Sequence, residues 1–157
     1  MGPADISDMS STTNKETLNL PKLRSDSSNW ATYQERIINY LASKGLKKHI
    51  LGTARQPIKL EERGGDYYKP HSLAPLTDEE LEKYEEEEEA YEQKQAAVWE
   101  VIYRTVNKSM FLQVKNKITA AAIWKKVTLI HADKGLMYEM NLLMQLQMIQ
   151  YIENREM

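Results

Sequence analysis

At 157 residues, with 41% hydrophobic content, the chain has material for one ordinary domain with or without a tail, and two full domains are not expected. The absence of cysteine excludes disulfides, thiolate zinc sites, cysteine nucleophiles and iron–sulfur clusters together. The net charge of -2 argues against a chain that binds polyanions with its whole surface, and no apolar run approaches the length of about 20 residues that spans a bilayer.

Residues 1 to about 18 are rich in Ser, Thr, Asp and Asn and offer little to bury, so they read as a flexible arm ahead of a helical domain over 19–157. The start MGPADISDMSSTTNKET has no apolar core of a signal peptide, and a soluble, cytoplasmic protein with no membrane partner is expected. Leu18, Leu20 and Leu23 around Pro21 form a short extended apolar segment suited to docking on the domain.

The cap-like stretch Ser25-Asp26-Ser27-Ser28 precedes Trp30, Tyr33, Ile37 and Leu41 at helical spacing, and Gly45 stands where a left-handed residue would end the helix. A first helix over about Asn29 to Lys44 follows, and Leu46, Ile50 and Leu51 extend the pattern by another turn or two before Gly52 and Pro57. From Pro57 to Leu76, Gly64-Gly65, Pro70 and Pro75 interrupt any period, which predicts one long loop without strands.

Thr77 followed by Asp78, Glu79 and Glu80 is a capping box. Leu81, Tyr84, Tyr91, Val98 and Ile102 then hold one face for nearly thirty residues, a helix of roughly 40 Å at about 1.5 Å per residue, with Trp99 near its apolar side. The unbroken run Glu85 to Glu89 lies near its positive amino end and reads first as a solvated acidic face. Acids dominate from Glu79 to Glu92, whereas Val101 to Ala132 carries Arg104, Lys108, Lys115, Lys117, Lys125 and Lys126 and no acid, so copies could attract head to tail.

A short helix is expected over Ser109 to Val114, and Thr119 is placed to cap another in which Ala120, Ile123, Trp124, Val127 and Ile130 face inward, ended by Asp133 to Gly135. The last helix, about Leu136 to Ile152, has two apolar faces. Leu136, Met137, Met140, Leu143, Met144, Met148 and Tyr151 share one, and Tyr138, Leu142, Leu146 and Ile149 share the other. Such a helix is either central in its bundle or covered by another subunit or domain, and the second face is the candidate interface. The fold class is all-α, about five helices in a compact bundle with a flexible arm and one long loop. Trp30, Tyr33, Ile37, Leu41, Trp99, Ile102, Ile123, Trp124 and Val127 are its expected core.

Residues that would carry chemistry are not assembled by the sequence. His49, His71 and His131 fall in no ligand spacing, and there is no G-x-S-x-G elbow and no phosphate-cradling glycine loop, so no metal, cofactor or catalytic residue is assigned. Lys115, Lys117, Lys125 and Lys126 near Trp124 invite a nucleic-acid reading, but Trp124 shares its face with Ala120, Ile123 and Val127, so packing claims it first.

The stretch SSNWATYQERIINYLASKGLKKHILGTARQP, the later AAIWKKV and the Leu/Met-rich helix after it resemble the Gag polyprotein of copia-type LTR retrotransposons. The matching positions are Asn29, Trp30 and Tyr33, then Gly45, Leu46, His49, Ile50, Gly52 and Thr53, then Ala120 through Val127 centred on Trp124. The resemblance covers roughly Leu20 to Ile152 and implies a capsid protein that polymerises into cytoplasmic virus-like particles around RNA. It implies two helical lobes, of which this chain resembles the first, with the chain itself and the second lobe as partners and RNA held through regions outside it. The alternative is a helical adaptor that binds a partner peptide or RNA in the groove beside the last helix.

Overall fold

The computed structural model describes residues 19–156, and the expected arm, Leu18 and Met157 lie outside them. Among the described residues the chain forms α1 (Trp30–Ser43), α2 (Lys47–Leu51), β1 (Glu61–Arg63), β2 (Asp66–Tyr68), α3 (Asp78–Thr105), α4 (Lys108–Val114) and α5 (Ala120–Glu156). The protein is mostly α-helical, and the strands form one small hairpin.

α1 buries Trp30, Tyr33, Ile37 and Leu41, the residues whose spacing marks it in the sequence. It stops at a tight turn in which Gly45 takes φ 72° and Leu46 N–H donates to the Leu41 carbonyl at 2.8 Å. α2 ends on Gly52 at φ 78°, where a Cβ would also meet Ala121 Cβ at 3.1 Å, so the residue serves both the left-handed cap and the contact with α5.

The stretch expected to be a strandless loop holds an antiparallel hairpin in the register Glu61↔Tyr68, Glu62↔Tyr67, Arg63↔Asp66. Gly64 and Gly65, at φ 59° and 89°, supply the two left-handed residues that a two-residue hairpin turn needs. The strands are three residues each, too short to display alternation, and almost all their side chains are exposed.

α3 starts where the capping box predicts, with the Thr77 hydroxyl accepting from Glu80 N–H at 3.2 Å. Only its carboxyl-terminal half is buried, through Val98, Val101, Ile102 and Thr105, while the acidic first half is exposed apart from the half-buried Leu81, Tyr84 and Tyr91. α4 starts one residue earlier than expected because the Asn107 side chain caps it, accepting from Met110 N–H at 2.8 Å.

The largest departure is at α5, a single 37-residue helix where a break at Asp133 to Gly135 was expected. Gly135 is not a terminator. A Cβ there would lie 2.6 Å from Trp30 Cβ, so the glycine lets α5 pass against α1 without interruption. The glycine costs about 1 kcal/mol of helix propensity, which the close packing offsets.

The core lies among α1, α2, the carboxyl-terminal half of α3, α4 and the first half of α5, closed by Leu20 and Leu23 of the leading segment. Leu23 N–H donates to the Thr105 carbonyl at 2.7 Å, the last turn of α3, so the segment docks as its apolar residues require. Inside, Trp124 packs against Trp30 and Tyr33 at ring separations of 5.7 and 5.9 Å. Thr105 Oγ1 donates back to the Val101 carbonyl at 2.8 Å, so at its 2.8 Å contact with Tyr33 the phenol is the donor. Burial pushes the Tyr33 hydroxyl up to about 12, which keeps it protonated for that bond.

Candidate assembly surfaces

The residues of the two sequence motifs act in packing. Asn29 does not cap α1 with its side chain: its Nδ2 donates to the Lys22 carbonyl at 2.8 Å and its Oδ1 accepts from Arg24 N–H at 2.9 Å, pinning the leading segment across the helix start. The Ser-rich stretch before it has another task as well. Ser27, fully buried at φ 65°, meets His131 Nδ1 at 2.7 Å through its hydroxyl. His131 stacks on Trp30 at 6.2 Å, and its Nε2 is buried without a hydrogen-bond partner. Burial, reinforced by the nearby Lys134 charge, pushes its pKa below the usual histidine value.

His49 belongs to a three-element junction. Ala120 N–H, the first amide of α5, donates to Gln95 Oε1 at 2.9 Å, so Gln95 Nε2 is the donor to His49 Nδ1 at 2.9 Å. His49 therefore carries its proton on Nε2, and its pKa is lowered by burial and by Lys94. His71 is exposed at φ 63° in the loop before α3. Among the described residues no group of three or more His, Cys, Asp or Glu could hold a metal ion, and no helix is long and apolar enough to cross a membrane.

Of the expected core residues, Trp30, Tyr33, Ile37, Leu41, Ile102, Ile123, Trp124 and Val127 are buried. Trp99 is half-buried against the core, with its Nε1 enclosed and unpartnered, beside a cleft of about 310 Å³ lined in part by Gln56, Tyr91 and Ile118.

The candidate interface residues Tyr138, Leu142, Leu146 and Ile149 all lie on exposed surface of α5, and so do the Met and Leu residues of its other face. Every residue from Leu136 to Glu156 is exposed, so this part of α5, roughly 30 Å at about 1.5 Å per residue, projects from the bundle with both apolar faces uncovered. The possibility that the two-faced helix is central in its own bundle is thereby corrected: the central portion is Ala120 to Gly135.

Charge is distributed in space differently from its run along the sequence. A cleft of about 940 Å³ between the α2 region and the middle of α3 is lined by Lys47, Lys48, Arg55 and Lys94 against a single carboxylate, Glu87. No ion pair joins any of the four cations to a described carboxylate. Sequence reasoning missed this cleft because it counted basic residues between 101 and 132. The available signal was Lys47-Lys48 and Arg55 flanking the Gly52 turn, but their convergence with Lys94 needs the fold.

No curated protein and no solved structure matches the chain. A family model described as gag-polypeptide of LTR copia-type matches residues 38–157. The match takes in the last six residues of α1, the Gln95 junction and the whole projecting part of α5; Asn29, Trp30 and Tyr33 fall ahead of it. With that span matched, on a mostly helical fold whose motif residues serve packing, the chain belongs to the gag-polypeptide family of copia-type LTR retrotransposons.

Proposed function

We propose that this chain is a structural capsid domain that self-assembles into virus-like particles in the cytoplasm, with the projecting part of α5 as its main contact. The observation that carries the reading is that twelve of the seventeen residues from Leu136 to Ile152 are exposed large hydrophobics, far more than isolated surface leucines would account for. A helix apolar on both sides is covered by another helix or by two. A second copy supplies that cover, and so would a second capsid lobe, whereas a single bound peptide would leave one face wet. The methionines at 137, 140, 144 and 148 suit a surface that packs against more than one neighbour. Membership in the gag-polypeptide family supports a structural rather than an enzymatic role.

The test changes Leu142 and Leu146 together to Gln and follows sedimentation and melting on the same protein. Suppressed self-association with an unchanged melting curve is the expected result, because both side chains are exposed and such changes cost about 0.5 kcal/mol or less each in the monomer. A wild-type protein that remains monomeric at all concentrations, yet binds an added peptide or RNA, would favour the adaptor alternative.

A further inference from the structure

Among the described residues neither the basic cleft nor the glutamates of the first half of α3 form ion pairs, and the fold keeps the two apart within one chain. Glu82, Glu85, Glu86 and Glu89 are exposed and share one face of α3. At about 100° per residue, that face is centred roughly 155° around the helix from the cleft-lining Glu87, Tyr91 and Lys94. No ion pair joins the four ridge carboxylates to a described cation. The ridge lies along one exposed face of α3, and the cleft on its other side is concave and of opposite sign.

We infer that the cleft lined by Lys47, Lys48, Arg55 and Lys94 receives the glutamate ridge of α3 from a second copy of this chain. The inference rests on the self-assembly reading and deepens it by naming a second contact. The occupant is argued from charge complementarity. Each copy presents one positive cleft and one negative ridge in equal number, and rotation around α3 prevents a chain from satisfying its own cleft. The contact is therefore heterologous: the cleft of one copy takes the ridge of the next, the geometry that generates rings or extended lattices rather than closed pairs. Its exposed ion pairs are individually weak and screened by salt, so it adds direction and register to the apolar contact of α5.

Two charge-reversed proteins test it. Lys48→Glu with Arg55→Glu gives a chain negative at both surfaces, and Glu82→Lys, Glu85→Lys, Glu86→Lys and Glu89→Lys together give one positive at both. All six positions are exposed, so melting should match the wild type. Sedimentation at about 0.05 M salt, where charges act over more than 10 Å, should show each variant associating about tenfold more weakly than the wild type. An equimolar mixture of the two should regain association, because every cleft then meets a ridge of opposite sign.

At about 1 M salt, where the screening length is near 3 Å, wild type and variants should associate alike through α5. A mixture no stronger than either variant alone, or variants that match the wild type at low salt, overturns the cleft–ridge contact. If in addition high-salt association disappears with Leu142→Gln and Leu146→Gln, the α5 reading stands while this one falls. A wild type that is monomeric at both salt concentrations removes both. Tripolyphosphate that raises the melting temperature of the wild type but not of the cleft variant, with association unmoved by either reversal, would make the cleft a small-anion site and also overturn the proposal.

Discussion

The two halves of α5 are alike in composition and opposite in fate. From Ala120 to Gly135 the helix buries Ala120, Ile123, Trp124, Val127, His131 and Gly135 along one stripe, and its lysines and Thr128 lie outside that stripe. From Leu136 onward the apolar residues are at least as dense, and none is buried. The difference is in what faces them. α5 packs against α1, α2, α3 and α4, and the residues it buries there all belong to the first half, whereas every residue of the second half is exposed. Apolar density thus marks what must be covered, and a neighbour decides whether the chain covers it alone.

The sharpest way to break this comparison is at the aromatic cluster. Trp30→Ala or Trp124→Ala should cost about 3–5 kcal/mol in urea unfolding, since each removes a buried ring from a contact shared by α1 and α5. Trp99→Ala, half-buried beside an open cleft, should cost less than either. Equal losses at all three would show that the core extends further than the burial pattern indicates.

Gly135→Ala comes next. In an open helix the change would be favourable by about 1 kcal/mol, but here the added methyl must displace Trp30 Cβ from 2.6 Å, an overpacking worth about 1–3 kcal/mol of destabilisation. A stabilised variant would mean that α5 stands off α1 at this point.

A smaller effect is expected from pH. His131 and His49 both have folded pKa values below the usual 6.5, each mainly through burial and secondarily through a lysine, Lys134 and Lys94 respectively. Below pH 6.5 the unfolded chain binds more protons than the folded one. The stability is therefore complete above about 6.5 and declines as pH falls through the folded values. Thermal melts from pH 7.5 to 5.5 should show this fall, and His131→Gln should flatten part of it; a melting temperature that rises on acidification would contradict the buried neutral histidine.

At the small end, Met144→Ala on the projecting half should change monomer stability by less than about 0.5 kcal/mol, whereas Val127→Ala on the buried half should cost several times more. Comparable losses from the two would place Met144 in a monomer core.

How much of this was legible follows the range of the interactions. Local signals were readable: the spacing of Trp30, Tyr33, Ile37 and Leu41, the Thr77 cap with its Glu80 amide, and Thr119, whose hydroxyl accepts from Ala122 N–H at 3.1 Å at the start of α5. Features that depend on a distant partner were not. Gly135 resembles a stop signal until Trp30 is placed beside it, and Ser27 resembles a cap until His131 arrives from 104 residues away. The hairpin at Glu61 to Tyr68 escaped because three-residue strands carry no period, although Gly64-Gly65 named its turn. The two-faced character of the last helix was readable, but its exposure, like the convergence of Lys47, Lys48, Arg55 and Lys94, is a property of the whole fold.

Because α5 is unbroken through Gly135, its outer half behaves as the shaft of a key rather than a hinged arm. The direction in which Leu142 and Leu146 point is geared to the bundle through the helical screw itself. One residue inserted after Gly135 would turn both apolar faces by about 100° and advance them by about 1.5 Å, leaving composition and core packing untouched. Whatever docks on that shaft is thereby indexed to the bundle, so the pitch and curvature of any assembly built on it are set by residue count along a single helix.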